Sequence, residues 1–93
     1  MGLEWDAAKR ESNLAEHGID FAHAALIFRN PVLEEEDTRQ DYGEHRVRAM
    51  GHYDGQWFFV VYTWRGNKRR IISAWRLDDQ SERRYRRLFA GRT

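Results

Sequence analysis

Two dipeptides in the second half of the chain constrain its fold more than any other feature. Asp54-Gly55 and Gly66-Asn67 each separate stretches rich in Val, Ile, Phe, Tyr and Trp. Asp-Gly is a strong hairpin signal because both central positions of a type I′ turn need positive φ, and Gly-Asn serves the same purpose. Strands are therefore expected over residues 45–53, 57–64 and 69–76, joined as an antiparallel meander. Two-residue turns fix the register, placing Tyr53 opposite Gln56, Arg48 opposite Val61 and Arg46 opposite Thr63. Across the second turn they place Thr63 opposite Arg70, Val61 opposite Ile72 and Trp57 opposite Arg76. Cross-strand partners share a face. One face then carries Arg46, Arg48, Arg70 and Arg76 around Met50, Phe59, Val61 and Ile72. The other carries Val47, Ala49, Phe58, Val60, Tyr62, Trp64, Ile71, Ser73 and Trp75, and is the natural seat for helices. A three-residue second turn would move Arg70 and Arg76 to the helix side, where burial without partners is costly, so the even turn is favoured.

The first half reads differently. Residues 3–5 suit a short edge strand, and Asp6 stands where a helix N-cap belongs, ahead of a helix stopped by Gly18. Asp20 is placed to cap a second helix in which Phe21, Ala24, Ala25 and Phe28 form an apolar stripe, ended by Asn30-Pro31. Val32-Leu33 begins a short strand that is expected to fray, through Glu34-Glu35-Glu36-Asp37, into an exposed loop reaching about Gly43. At the far end Asp79-Gln80-Ser81-Glu82 resembles a capping box and opens a final helix. That helix carries Tyr85, Leu88 and Phe89 beside Arg83, Arg84, Arg86 and Arg87. The order is strand, two helices, meander and helix, an α+β arrangement over residues 1–93 as one domain.

Composition limits the chemistry. With 93 residues there is no room for a second independent core, and 13 aromatics (4 Trp, 4 Tyr, 5 Phe) must supply much of the first. The absence of cysteine excludes disulfides, thiol nucleophiles and thiolate metal sites. No apolar run approaches a membrane span and residues 1–12 lack the pattern of a signal peptide, so a cytoplasmic location is expected. The net charge of +1 conceals a division: residues 1–43 hold 4 Lys/Arg against 10 Asp/Glu, and residues 44–93 hold 12 against 5. Such blocks suit a basic surface for polyanions with an acidic flank, or ordinary ion pairing between the halves.

Four histidines, His17, His23, His45 and His52, lack the helical spacing of a zinc site, and neither a metal nor a cofactor is expected. No phosphate loop or nucleophile elbow is present. The four arginines of the meander are the main chemical signal, since guanidinium groups offer paired donors and a permanent charge to phosphates. Strand-end charges in water are the plainer alternative. Trp57 shares their face and could stack on a base. Tyr85 is either a packing residue or a hydroxyl near the arginines. His17, before Gly18, suits a helix end, with a functional role open.

In order along the chain, these residues resemble a known family. Leu3-Glu4-Trp5-Asp6 with Lys9, Asn13 and His17-Gly18 is similar to the opening of the BrnT toxins. Gly43-Glu44-His45-Arg46, Met50-Gly51, Val60-Val61-Tyr62-Thr63, Arg65-Gly66 and Arg70-Ile71-Ile72-Ser73-Ala74 followed by Arg76 look like its meander, and Glu82-Arg83-Arg84-Tyr85 like its last helix. The chain departs from that pattern at Trp64, where the family often has Glu, and at Trp75, where it often has Arg. The resemblance implies a RelE-like fold and the toxin of a type II toxin–antitoxin pair. Such a toxin is a metal-independent endoribonuclease that inhibits translation and is neutralised by a BrnA-like ribbon-helix-helix antitoxin, with operator DNA bound only through the complex.

RNA cleavage without a metal needs a base for the 2′-OH, cations for the phosphorane and an acid for the departing 5′-oxygen. Arg65, Arg70 and Arg76 are expected at the transition-state phosphate, with Tyr85 as a further catalytic candidate. Arg46, Arg48 and His45 are expected to position the RNA backbone. Glu44, His45, Tyr85 and His17 stand open as base or acid. Two other readings remain: a catalytically weak RelE-like module acting in antitoxin binding and operator autorepression, and a nucleic-acid-binding protein without a partner.

Overall fold

A computed structural model describes residues 2–39 and 43–90. Its elements are β1 (Gly2–Trp5), α1 (Ala7–His17), α2 (Phe21–Ala24) running into a 3₁₀ turn (Ala25–Arg29), β2 (Leu33–Glu36), β3 (Val47–Tyr53), β4 (Gln56–Arg65), β5 (Lys68–Arg76) and α3 (Asp79–Ala90). The five strands form one mixed sheet in the order β1-β5-β4-β3-β2. The meander is extended on both sides, by β1 parallel to β5 and by β2 antiparallel to β3. No described helix is long and apolar enough to cross a membrane.

Turn chemistry explains the centre of the sheet. Asp54 and Gly55 take φ of 50° and 76°, as a type I′ turn requires, and Gly66 takes 62°. Both turns have two residues, and β3 pairs with β4 in the expected register, Arg48 against Val61 and Tyr53 against Gln56. The second hairpin keeps its expected register only near the turn, with Thr63 against Arg70 and Tyr62 against Ile71. A β-bulge at Ile72 then shifts the pairing, so that Val61 meets Ser73, Phe59 meets Trp75 and Phe58 meets Arg76. One extra residue exchanges the faces of everything beyond it. Ser73 and Trp75, expected on the helix side, therefore lie with Val61 and Phe59. Arg76, expected beside Arg46, Arg48 and Arg70, lies on the opposite face with Phe58.

The core gathers on one face. Ile19, Phe21, Ala24 and Ile27 pack against Ala49, Phe58, Val60, Tyr62, Ile71 and Ala74, with Trp5, Phe28, Val32 and Val47 around them. The second helix is a single α-turn before it tightens to 3₁₀, which keeps Ala25 and Ile27 buried above β3. Gly51 permits this approach: a Cβ there would lie 2.8 Å from Val32 Cγ1 and 3.1 Å from Ile27 Cβ. Both N-terminal caps form as expected. Asp6 accepts from the amides of Ala8 and Lys9, and Asp20 accepts from that of Ala22.

Two elements depart from the sequence reading. The acidic run is strand and not loop, because Glu34, Glu35 and Glu36 pair with Ala49, Arg48 and Val47 of β3. The loop expected beyond it falls partly on residues 40–42, which lie outside the described residues. The last helix is capped one residue earlier than expected: the Asp78 carboxylate accepts from the Ser81 amide at 2.7 Å, and Asp79 is already helical. α3 lies against the face away from the core. Tyr85 meets Phe59 at 5.8 Å between ring centroids, and Phe89 meets Trp57 at 5.4 Å and His52 at 5.9 Å.

Candidate functional site

The face opposite the core, at the end away from α3, holds the candidate arginines. Arg46 precedes β3, Arg48 lies within it and Arg70 projects from β5 opposite Thr63. The Thr63 hydroxyl donates to the His45 carbonyl at 2.7 Å and ties the start of β3 to β4. Each arginine is held by a carboxylate. Arg46 Nε contacts Glu44 at 3.0 Å, Arg70 Nη1 contacts Glu4 at 3.3 Å, and Arg48 Nη2 bonds Glu35. His45 Nε2 lies 3.3 Å from Glu36.

These contacts account for much of the charge division between the halves. Glu4 of β1 and Glu35 of β2 flank the meander on both edges, and from there they reach Arg70 and Arg48 of the second half. The acidic flank is thus interleaved with the basic face. An arginine with a carboxylate beside it offers a cation to a phosphate and a proton acceptor in the same place. A polyanion must compete with the carboxylate to use it.

The remaining candidates are spread more widely. Arg65 is exposed at the end of β4, across from Lys68, and ion-pairs with none of the described residues. Arg76 sits at the far end of β5 with its guanidinium 5.9 Å from the Phe58 ring. Tyr85 is half-buried, its ring against Phe59, which in turn packs on Trp75 at 5.3 Å. Trp57, with 6 % of its surface exposed, is enclosed by His52 and Phe89, so it is not free to stack on a base. His17 ends α1, 6.2 Å from the Trp75 ring, and lines a shallow groove of about 170 Å³ with Lys9, Ser12 and Ser73. The structure therefore sets Arg46, Arg48 and Arg70 on one face, places His45 beside Glu36, whose strand partner Val47 packs on the core side, and leaves Arg76, Tyr85 and His17 apart from the three arginines.

Two features near the site escaped the sequence reading. Asn13, buried in α1, donates to the carbonyls of Ala74 at 2.7 Å and Ile19 at 2.9 Å and accepts from the Ala74 amide at 3.1 Å. Its amide pairs with β5 beyond the point where β1 ends, as a further strand would. On the core face, Arg69 lies over the rings of Phe28, Tyr62 and Trp64 at 4.2, 5.2 and 4.9 Å. The Tyr62 hydroxyl donates to Glu34, and burial together with that carboxylate raises its pKa above the usual phenol value. Both arrangements join residues distant in sequence, and no local pattern announces them. The arginines of α3 were visible, but only their exposure separates them from the paired arginines of the sheet.

Among the described residues no three His, Asp or Glu side chains gather as a metal cage. No curated protein matches the chain. A family model does, over residues 5–85, which takes in α1, the whole meander and α3 as far as Tyr85. With the match extending over nearly all of the described fold, the chain belongs to the BrnT family, the ribonuclease toxins of type II toxin–antitoxin systems.

Proposed function

We propose that the protein is a metal-independent endoribonuclease that inhibits translation in the cytoplasm, with a RelE-like domain spanning residues 1–93, and that a BrnA-like ribbon-helix-helix antitoxin neutralises it and carries the complex to operator DNA. The observation that supports this reading best is the cluster of Arg46, Arg48 and Arg70 on one sheet face, each beside a carboxylate. In the reaction the 2′-oxygen attacks the adjacent phosphorus and its proton passes to a base. The phosphorane then expels the 5′-oxygen, which takes a proton, leaving a 2′,3′-cyclic phosphate and a 5′-hydroxyl. Arg70 and Arg48 stabilise the charge that grows on the phosphorane oxygens. Arg46 and His45 hold the flanking backbone, and Arg65 reaches the phosphate from the rim. Once the guanidinium turns to phosphate, a carboxylate released from it, such as Glu44, is placed to take the proton. That carboxylic acid then returns the proton to the departing 5′-oxygen, and Tyr85 stands farther off, toward α3, as an alternative acid.

The purified chain incubated with single-stranded RNA in EDTA tests this. Fragments ending in 2′,3′-cyclic phosphate are expected, and Arg70→Ala is expected to slow their formation about a hundredfold, as loss of one oxyanion donor does. Intact RNA after prolonged incubation defeats the proposal. One observation favours a second reading, in which the chain is catalytically weak and acts through its antitoxin. The sheet arginines already hold carboxylate partners, and Trp64 occupies a position where the family often has Glu. Binding of the antitoxin with no RNA cleavage would select that reading.

A further inference from the structure

Among the described residues, a group of arginines without ion-pair partners lies outside the sheet. α3 carries Arg83, Arg84, Arg86 and Arg87, and no residue of the helix is buried. Arg86 is engaged by Glu82, 3.1 Å away, and lies 6.0 Å from the Trp57 ring. Arg83, Arg84 and Arg87 are exposed and ion-pair with none of the described residues, in contrast to Arg46, Arg48 and Arg70. No acidic residue follows Glu82 in the helix.

This arrangement works against the helix itself. Like charges three and four positions apart repel, and the pairs Arg83–Arg86, Arg83–Arg87 and Arg84–Arg87 all have that spacing. The helix dipole favours a cation in the last turn, where Arg87 lies, and does little for Arg83 and Arg84 near the middle. Among the described residues Tyr85 and Phe89, with Arg86 over Trp57, hold α3 against the sheet, and Arg83, Arg84 and Arg87 point away from it. An external anion resolves the repulsion. Arg83 and Arg87 stand about 6 Å apart along the axis, and with Arg86 they bound a concavity of about 330 Å³.

We infer that the outer ridge of α3, through Arg83, Arg84 and Arg87, is a docking surface for the phosphate backbone of RNA, separate from the arginines of the sheet. The inference rests on RNA being the substrate and names where the strand is held outside the reacting centre. Beside the ridge Leu88 is exposed, a single apolar side chain where the centre of a protein interface gathers several. A single strand bound there gains affinity from charge alone, without sequence preference.

A 2′-O-methyl RNA oligonucleotide, which cannot be cleaved through its 2′-oxygen, is the probe, and its binding is followed by fluorescence anisotropy from 0.05 to 0.5 M salt (about these limits bracket the useful range). Loss of three phosphate contacts in Arg83→Gln/Arg84→Gln/Arg87→Gln is expected to lower the slope of log K against log salt by about 2, because each contact to a single strand contributes about 0.7. Lysine at the same three positions is expected to restore the slope, and Arg29→Gln, an exposed cation before β2, to leave it unchanged. Circular dichroism of the triple glutamine variant establishes that α3 is retained. A slope equal to that of the parent chain, or an unchanged slope accompanied by weaker neutralisation by the antitoxin, overturns the inference. A parent chain that binds the probe but leaves unmodified RNA intact defeats the proposed cleavage and not the docking surface.

Discussion

Asn13 shows what one polar side chain can organise. It has 5 % of its surface exposed, and its amide satisfies both backbone groups of Ala74 together with the carbonyl of Ile19. The first contact fastens α1 to β5 and the last closes the corner after Gly18. Asn13→Ala leaves these buried groups without partners, and such groups cost roughly 1–3 kcal/mol each. The variant is expected to lose about 2–4 kcal/mol in urea unfolding, while Ser12→Ala, one position along on the exposed side, changes stability by less than about 0.5 kcal/mol. Asn13 is visible in the sequence within the segment that resembles the family's opening. Its task is not, because Ala74 lies 61 positions away and an Asn within a helix carries no mark of the strand it will pair with.

At the level of elements the sheet depends on where backbones approach. The 3₁₀ turn and the segment leading to β2 come against Gly51 of β3, and a methyl group there would meet Val32 Cγ1 at 2.8 Å. Gly51→Ala is expected to destabilise the fold by about 1–3 kcal/mol, as overpacking of a close contact does. Adding Val32→Ala should recover part of that loss, which a double-mutant cycle in denaturant measures. Local chemistry made the caps at Asp6 and Asp20 and the two-residue turns legible, since each is written in adjacent residues. The bulge at Ile72 was not, because residues 69–76 read as an unbroken strand and nothing in their order marks an extra residue. That one residue is why the arginine face holds three of the four expected members and why Trp75 joins Phe59. The acidic run reads as loop for a related reason: Glu34, Glu35 and Glu36 are strand residues paired with Ala49, Arg48 and Val47, and these partners stand on a strand later in the chain.

Across the whole molecule, charge makes stability depend on pH at both extremes. Asp20 bonds Arg10 through both carboxylate oxygens at 2.8 Å, joining α1 to α2, and this guanidinium holds its carboxyl below the ordinary aspartate value. The Ser81 amide lowers Asp78 in the same direction at the start of α3. An acid whose folded pKa is depressed stabilises the fold fully above its unfolded value, near 3.8 for aspartate, and the contribution disappears as pH falls through the folded value. Tyr62 acts at the other end. Burial raises its phenol, with the Glu34 contact adding to the effect, so the folded state favours the neutral form. Its contribution is complete below the unfolded value of 10.0 and is lost as pH rises through the higher folded value. Stability measured in urea is therefore expected to be level between about pH 5 and 9 and to fall on both sides. Asp20→Asn should flatten the acid arm, because the group that must be protonated is gone, and leave the alkaline arm in place. Tyr62→Phe should do the reverse. An alkaline decline of the same steepness in the phenylalanine variant would show that another group, and not the Tyr62 phenol, sets the upper limit of the fold.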